Sequence, residues 1–378
     1  MTGRALLLVV AAALVPAAAG CGGAQGATPE GADAAPSVRL DDPRLASWLP
    51  DPAARHGSGA SAPVPHHDGT RTLHVAARGG RFVLLETARG TEREVLRHTG
   101  DVGRAEYLPD GPIVFSGAVD GPSPLAGVGS AWALFVHDPA QGTTRRISFG
   151  AGLDADPWVL SDGRIVFSSW RPGTGRLALF TVHPDGTGYA PLHARDDAHL
   201  VLPAQDAGTL DVIAWAVPDD APPERIRIDW DAPRSCAAPD AESAVTTAPR
   251  RRPQGHLSSV RDERPWGTLV CVDARANGAR DAASARIAAY GAAGRPLGDV
   301  PLADDGSFVA DVPADTPLLV SLVAADGRVV AAERGPFWVR SNEVRVCVTC
   351  HDDFETAPPN RRPAAVLGRA ADLRGGTR

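Results

Sequence analysis

The feature that most constrains the fold is a pair of similar segments in which short β-type runs are separated by Asp-Gly turns. The first segment contains "YLPDGPIVFSG" and "WALFVHDPAQG", and the second contains "VLSDGRIVFSS" and "LALFTVHPDGTG". The Asp110-Gly111 and Asp162-Gly163 turns are 52 residues apart, and the Ala-Leu-Phe runs that follow them are 45 residues apart. A period of this size, with a turn signal before each β-branched and aromatic run, predicts the blades of a β-propeller.

These repeats resemble the TolB-like propeller family. Residues 67–217 are predicted to form the propeller-like repeats, with degenerate units at both ends. This length holds three or four units, which is near the lower limit for a closed ring, so we expect a shortened or partial propeller. Three tryptophans are predicted to pack between the blades: Trp132, Trp158 and Trp170.

The remainder of the chain predicts a linker and a second β domain. Residues 218–262 are rich in Pro, Ala, Ser, Arg and Asp, which indicates a linker, although "RIRIDW" within it has the pattern of one strand. Residues 263–343 contain six or seven short β-type runs, with hairpin signals at Asp305-Gly306 and Asp326-Gly327. The expected fold is therefore all-β: a propeller followed by a small antiparallel sandwich-like domain.

The N-terminus has the features of an export signal. An apolar run from Ala5 to Val15 follows Arg4 and is too short to span a bilayer. The small residues before Cys21 resemble the lipobox of bacterial lipoproteins, which predicts a signal peptide over residues 1–20, lipidation of Cys21 and a flexible tether over residues 21–66. Cleavage by an ordinary signal peptidase, with Cys21 incidental, is the alternative. Both predict an exported protein, facing the periplasm or the cell exterior and, with lipidation, anchored to a membrane.

The charge of the chain argues against a nucleic-acid partner. The net charge is -7 at pH 7, the isoelectric point is about 5.9, and the basic residues are dispersed. No basic patch of the kind that binds DNA or RNA is expected. We find no serine-histidine-aspartate set, phosphate loop or paired-carboxylate motif, so the sequence identifies no catalytic residue.

A cysteine motif near the C-terminus carries the chemistry. The run "CVTCH" places Cys347, Cys350 and His351 at the Cys-x-x-Cys-His spacing of c-type haem attachment. Two thiols three residues apart can each add to a haem vinyl group, and the next residue presents its imidazole to the iron. Cys347 and Cys350 are therefore predicted to anchor one haem c, with His351 as the proximal iron ligand, in a segment spanning residues 344–378.

Other uses of the cysteines remain open at this stage. A dithiol redox pair requires a thioredoxin-like context, which the sequence lacks. A zinc site would combine Cys347 and Cys350 with Cys236 and Cys271. A disulfide between Cys236 and Cys271 is the simpler use of that pair in an exported protein, and two buried thiols are the remaining alternative.

The C-terminal half resembles a known family. "GTLVCVDA", "PLGDVPLADDGSFVADVPADTPLLVSLVAADGRVV" and "CVTCHDDFETAPPNRRPAA" are similar to the middle domain of the hydrazine synthase alpha subunit and its relatives. The resemblance implies a TolB-like propeller that leads into a small β domain ending in a haem c site, and it implies a single covalent haem. In the enzyme the iron is bound by a tyrosine one helical turn beyond the motif histidine. Glu355 stands at that position here, which argues against a tyrosinate-ligated site and leaves His351 as the proximal ligand.

The distal side of the haem is constrained by elimination. The chain contains no lysine and only one methionine, Met1, so the His/Met pair of high-potential cytochromes is excluded once Met1 is processed. A second histidine, water or an open position remains. His256 is the candidate distal ligand, with His199 and His193 as further candidates and solvated loop histidines as the alternative.

Charged residues near the motif have expected roles in holding the haem. Asp352 and Glu355 lie within a turn of His351 and are candidates to hydrogen-bond it, although solvated acids are the alternative. Four arginines are candidates to pair with the haem propionates, against the alternative of flexible surface arginines: Arg340, Arg345, Arg361 and Arg362.

The sequence thus favours an exported, lipid-anchored monohaem c-type cytochrome-like protein. Its expected partner is a redox protein, for electron transfer, or a small ligand that binds the iron and is sensed there. The alternatives are a haem enzyme of nitrogen or peroxide chemistry, and a propeller lipoprotein without haem whose cysteines hold zinc or nothing.

Overall fold

The structure is a computed structural model that describes residues 61, 63–96, 98–124, 128–205, 209–230, 235–237, 251–291, 294–348 and 362–375. Within these residues the protein is built from β-strands, together with two short 3-10 helices, Ala276–Gly278 and Ala364–Leu367. The expected all-β fold is confirmed. No helix in the described part of the chain is long and apolar enough to cross a bilayer.

The N-terminal domain contains four antiparallel sheets of four strands each among the described residues, and we call these sheets blades I to IV. The bounds of their strands are as follows: blade I has β1 (Val64–Pro65), β2 (Arg71–Arg78), β3 (Arg81–Ala88) and β4 (Thr91–Glu94); blade II has β5 (Val102–Tyr107), β6 (Ile113–Val119), β7 (Ala131–Asp138) and β8 (Thr143–Arg146); blade III has β9 (Asp154–Val159), β10 (Ile165–Arg171), β11 (Arg176–Val182) and β12 (Ala190–His193); blade IV has β13 (Ala198–Gln205), β14 (Val212–Pro218), β15 (Glu224–Ile228) and β16 (Ser235–Ala237).

The last strand of each repeat is the most exposed of its four strands. Strand β9 is buried along its whole length, whereas β4 is exposed at every residue and β8 is mostly exposed. This difference is expected for propeller blades, whose first strand lies at the centre of the domain and whose last strand lies at the rim. In this arrangement the turns between strands lie at the two ends of the domain.

The two Asp-Gly turns that revealed the repeat have the same hydrogen bonds. In blade II, Leu108 N donates to Pro112 O at 2.8 Å, and Gly111 N donates to Leu108 O at 3.3 Å. In blade III, Leu160 N donates to Arg164 O at 2.8 Å, and the Gly163 amide donates to Leu160 O at 3.0 Å. Both glycines have positive φ angles, which explains why glycine occupies this turn position.

The tryptophans pack between blades as predicted. Trp132 and Trp158 are 3% and 4% exposed. Trp158 lies in a cluster with apolar residues of blade IV, and Trp170 packs on a cluster that joins blades II, III and IV. Burial of these rings therefore ties neighbouring blades together.

The C-terminal domain contains two further sheets of four strands, which form a sandwich. The first sheet has the order β23 (Val344–Cys347), β17 (Trp266–Cys271), β20 (Phe308–Pro313) and β24 (Ala371–Asp372); the second has the order β19 (Pro296–Pro301), β18 (Ala282–Ala289), β21 (Leu318–Ala324) and β22 (Val329–Ala332). The central pairings are antiparallel, but β23 and β24 each pair in parallel with their neighbours. The sandwich is confirmed, and these two parallel edge strands are an addition to the expected antiparallel arrangement.

The structure places strands in two segments that were predicted to be tether and linker. Strand β1 lies within residues 21–66, and strands β15 and β16 lie within residues 218–262 and complete blade IV. The "RIRIDW" run accounts for most of β15. The later part of that linker, residues 251–260, lies against blades II and III, where Gln254 N donates to Ser161 O at 3.0 Å.

The two domains share one apolar cluster. It combines buried residues of blades II and III with the interior of the sandwich. At the junction the ring of Tyr189 stacks on Trp338 with centroids 4.0 Å apart, and Trp338 Nε1 donates to Gly186 O at 2.9 Å. Trp338 is fully buried, so the sandwich is packed firmly against blade III.

Candidate functional site

The candidate site begins at the end of strand β23, where Cys347 lies. This strand is at the edge of the first sandwich sheet and pairs in parallel with β17, with Cys347 opposite Cys271. Val272 N donates to Cys347 O at 3.0 Å, which fixes the end of the strand. The other two residues of the motif, Cys350 and His351, lie outside the described residues, as do the neighbouring candidates Asp352 and Glu355.

Strand β23 has one face toward the protein and one toward solvent. Val344 and Val346 are 64% and 57% exposed, whereas Arg345 and Cys347 are half-buried. Because alternate residues of a strand share a face, Arg345 and Cys347 project to the same inner side. Cys347 packs there against the shared apolar cluster.

Arg345 has the properties expected of a residue that binds an anionic group. Its guanidinium lies 5.0 Å from the centroid of the Phe337 ring and 5.9 Å from that of Tyr189. Its Nε is buried and makes no hydrogen bond to any described residue. A buried N–H without an acceptor is costly, so a carboxylate beside Cys347 would be stabilised at this position.

The other candidate arginines are placed differently. Arg340 is 4% exposed; its Nη1 donates to Asp315 Oδ1 at 2.6 Å, and its Nε donates to Asp185 O at 3.0 Å. It therefore links the sandwich to blade III. Arg362 is exposed, and Arg361 lies outside the described residues. Among the described arginines of this set, Arg345 alone combines a half-buried position on the face of Cys347 with a buried Nε that has no acceptor.

His256, the predicted distal ligand, lies in a different polar cluster. Its Nε2 is 3.1 Å from Asp185 Oδ2, and its ring stacks on His183 with centroids 4.3 Å apart. Burial opposes ionisation of Asp185, but hydrogen bonds from Thr187, Ser258 and His256 lower the pKa of Asp185 to about 2. The His256 ring is thus held by a carboxylate and a second imidazole at the junction of the linker and blade III.

His199 and His193 lie in the propeller. His199 is 2% exposed, its Nδ1 accepts a hydrogen bond from Leu177 N at 3.2 Å, and its ring stacks on Trp170. Burial, together with nearby Arg176, lowers the pKa of His199 to about 4. His193 is half-buried at the end of β12. His199 and His256 therefore lie in separate sets of contacts, and the described residues do not bring them together at one metal site.

A buried polar group beneath Arg345 was not anticipated from the sequence. Tyr189 stacks on Phe180 as well as on Trp338, and burial raises its pKa above the ordinary range. Nearby, Ser169 Oγ donates to Asp154 Oδ1 at 2.6 Å, and burial raises the pKa of Asp154. The only signal in the sequence was the rarity of tyrosine, of which the chain has three.

The remaining cysteine alternatives can be compared with the structure. Cys236 lies on β16 in blade IV, and Cys271 is buried in the sandwich, where it is 1% exposed. No disulfide joins these two described residues. Within the described part of the chain there is also no cluster of three or more His, Cys, Asp or Glu residues able to hold a metal ion.

The comparison with protein families supports the resemblance inferred from the sequence. Residues 267–352 match the model of the hydrazine synthase alpha subunit middle domain, and this range includes Cys347, Cys350 and His351. A search of curated proteins found no match.

The fold is also found among solved structures. Hydrazine synthase of Kuenenia stuttgartiensis is similar with a TM-score of 0.69 and 16% identity over 82% of this chain, which spans 65% of that chain. TolB of Acinetobacter baumannii has a TM-score of 0.42 and 12% identity, with 75% of this chain and 56% of that chain covered. A TolB-like protein of Agrobacterium tumefaciens has a TM-score of 0.39 and 17% identity, over 45% of this chain and 61% of that one. The resemblance to the hydrazine synthase alpha subunit middle domain is thereby confirmed, and the match to the Kuenenia enzyme extends it to the fold of most of the chain.

Proposed function

We propose that this protein is an exported, monohaem c-type protein whose haem is attached at Cys347 and Cys350 with His351 as the proximal ligand. The observation that carries the proposal is that the segment matching the hydrazine synthase alpha subunit middle domain contains the whole Cys-x-x-Cys-His motif. A haem attached in this way supplies a redox-active iron that exchanges electrons or binds a small ligand.

The described residues fit such a group. Cys347 is half-buried at the end of an edge strand, so a substituent on its sulfur does not have to enter the centre of the sheet. Arg345 is on the same face and has a buried Nε that lacks an acceptor, as a propionate partner requires. The role of these residues is to hold and orient the haem edge and to balance its charge.

The contacts of the candidate distal histidines favour a small ligand over a second protein ligand. His256 is held by Asp185 and His183, and His199 is buried among the blades. Recruiting either residue would break these contacts. With His256 and His199 engaged elsewhere, we expect the sixth coordination position to bind water or a small molecule. Haem-based ligand binding is then the favoured function, with electron transfer as the second use of the same iron.

The test is to produce the full chain with the machinery for c-type haem attachment and to measure its pyridine haemochrome spectrum and intact mass. We expect one haem per chain and a high-spin oxidised spectrum that changes on addition of nitric oxide. Protein that carries no covalent haem under these conditions would refute the proposal. A low-spin spectrum with two histidine ligands would support the haem but refute an open sixth coordination position.

A second candidate function is a haem enzyme of nitrogen chemistry. It is favoured by the similarity of the fold to hydrazine synthase. Turnover of nitric oxide by the haem-loaded chain, lost in His351→Ala, would support it. Binding of nitric oxide without turnover would instead support the sensing function.

Export and membrane attachment belong to the same proposal. They are supported by the apolar run after Arg4 and by the lipobox-like residues before Cys21, which lie outside the described residues. Metabolic labelling with a palmitate analogue is expected to label the wild type and not Cys21→Ser. Equal labelling of the wild type and Cys21→Ser would refute a lipid anchor at Cys21.

A further inference from the structure

Two cysteines that the sequence related only through the alternative of a zinc site are neighbours in the sandwich. Cys271 ends strand β17 and Cys347 ends strand β23, and the two are Cα partners in the parallel ladder. Adjacent strands are about 4.8 Å apart, a spacing within the range of about 4.4 to 6.8 Å that the Cα atoms of disulfides span. Residues directly opposite each other also project to the same face of a sheet.

The burial of the two residues supports the same pairing. Cys271 is a member of the apolar cluster that the domains share, and Cys347 packs against that cluster. Cys271 is 1% exposed, whereas Cys347 is half-buried at the edge of the sheet. The two side chains therefore meet on the inner face of the first sheet, with one thiol shielded from solvent and one accessible.

We propose that Cys271 and Cys347 form a disulfide bond in the haem-free protein. The pairing differs from a bond within the motif, since it joins the edge strand to the centre of the sandwich. Because β23 is a four-residue edge strand, it can shift slightly to bring the two Cβ atoms to bonding distance while β17 remains in place.

The reaction needs an oxidant, and glutathione disulfide supplies one. The Cys347 thiolate attacks one sulfur of glutathione disulfide and releases one glutathione thiolate, which leaves a mixed disulfide on Cys347. The Cys271 thiolate then attacks the Cys347 sulfur and releases the second glutathione thiolate. In sum, two protein thiols lose two protons and two electrons, and one glutathione disulfide becomes two molecules of glutathione.

Disulfide formation and haem attachment at Cys347 then exclude each other, an inference that rests on the proposed function. A sulfur bonded to Cys271 cannot add to a haem vinyl group, and a thioether sulfur cannot form a disulfide. Reduction of the Cys271 to Cys347 bond is then a required step before haem attachment. The disulfide itself stands whether or not the chain binds haem.

Tryptic peptides of the full chain distinguish the relevant bonds. Trypsin cuts after Arg261 and Arg275, since Arg264 precedes proline and resists cleavage, and this yields peptide 262–275 with Cys271. It also cuts after Arg345 and Arg361, which yields peptide 346–361 with both motif cysteines. A bond from Cys271 to the motif therefore joins two peptides, whereas a bond within the motif stays inside one.

The experiment uses the purified haem-free chain, equilibrated with reduced and oxidised glutathione, alkylated, digested and analysed without reduction by mass spectrometry. We expect peptides 262–275 and 346–361 to be cross-linked in the wild type, in Cys236→Ser and in Cys350→Ser. The cross-link should be lost in Cys347→Ser and in Cys271→Ala. Cys347→Ser alters only an edge residue, so it keeps the test valid if Cys271→Ala fails to fold.

Three outcomes overturn the proposal. The first is an oxidised bond confined to peptide 346–361, and the second is complete alkylation of both peptides. The third is a cross-link that survives Cys347→Ser and disappears in Cys350→Ser, which would assign the bond to Cys350.

The same variants test the link to haem attachment with a separate readout. When reductant is limiting, Cys271→Ala is expected to attach several times more haem than the wild type, and the two should be equal when reductant is in excess. If neither protein attaches haem under reducing conditions while the cross-link is present, the proposed function fails and the disulfide remains. If Cys271→Ala and the wild type attach equal amounts of haem at every reductant level, the disulfide does not compete with haem attachment.

Discussion

At the scale of single residues, Arg345 is a side chain whose polar environment is incomplete. Its guanidinium lies over Phe337 and beside Tyr189, so its stem is well packed while its Nε has no acceptor among the described residues. Glu343, two residues earlier, is committed to the amides of Gly188 and Arg340. The positive charge is thus placed where an added anion is the natural partner.

Replacing Arg345 with methionine tests this role. Arg345→Met keeps the packing on Phe337 but removes the donor. The substitution should therefore lower the unfolding free energy of the haem-loaded protein by about 1.5–3 kcal/mol more than that of the haem-free protein. The measurement is urea denaturation of both forms. Arg328→Met, at an exposed arginine, is the control and should change neither form. An equal loss in both forms of Arg345→Met would assign the residue a purely structural role.

His199 provides a second prediction at this scale, through pH. Its folded pKa of about 4 is below the unfolded value of about 6.5, so the native state binds fewer protons than the unfolded state between these values. The stabilising contribution is therefore fully present above pH 6.5 and is lost as the pH falls toward 4. The shift corresponds to about 3 kcal/mol.

An asparagine at position 199 does not titrate in this pH range and preserves the hydrogen bond from Leu177 N. The Asn Oδ1 can accept the hydrogen bond from Leu177 N in place of the imidazole Nδ1. His199→Asn is expected to show a smaller loss of unfolding free energy than the wild type between pH 7 and pH 4.5, measured by urea titration. Parallel losses in the two proteins would show that other groups carry the acid sensitivity.

At the scale of elements, the Asp-Gly turn recurs along the chain, and the turns at Gly111 and Gly163 offer a matched pair. A Cβ on Gly163 would lie 2.4 Å from Gln254 O in the linker, whereas a Cβ on Gly111 would meet nothing within 4 Å. Both glycines have positive φ, so alanine costs about 1–2 kcal/mol at either turn. Gly163→Ala should cost about 1–3 kcal/mol more, because the linker must move. Equal thermal midpoints of the two variants would contradict the docking of residues 251–260 on blade III.

The turns and the blades were predictable because their signals are local. Asp110-Gly111 and Asp162-Gly163 fix the hairpins that follow them, and the same turn bonds recur at Asp305-Gly306 and Asp326-Gly327 in the sandwich. Strand β16 was hidden by a Pro- and Ala-rich surrounding, since such composition usually indicates a loop.

The arrangement around the candidate site was less predictable because it depends on pairing over long distances. The motif at Cys347 was evident from spacing alone. Its position opposite Cys271 depends on a parallel pairing between strands more than seventy residues apart, and hydrophobic pattern alone does not specify such a partner. The placement of Arg345 over Tyr189 likewise requires the two domains to be docked.

At the scale of the whole molecule, the shared apolar cluster predicts cooperative unfolding of the two domains. Trp338 stands at their junction, fully buried and bonded to Gly186 O. Trp338→Ala should cost about 3–5 kcal/mol and split the calorimetric transition into two. Trp338→Phe keeps the stacking on Tyr189 and loses the hydrogen bond, so it should cost about 1 kcal/mol and retain one transition.

The control for this prediction is a tryptophan away from the junction. Trp230 packs on the cluster of blades III and IV and lies beside Arg164, outside the contact with the sandwich. Trp230→Ala should lower the midpoint without dividing the transition. If Trp230→Ala and Trp338→Ala both leave a single transition, the coupling of the domains does not depend on the junction.

The strand order of the first sandwich sheet has a consequence for how the motif can be modified after folding. Strands β23 and β24 occupy opposite borders of that sheet, while β17 and β20 lie between them and hold the interior. Peeling the short border strands away breaks few ladder bonds and leaves the antiparallel pair in the middle intact. The haem attachment proposed above would thus involve an edge strand that can detach while the central strands of the domain stay paired.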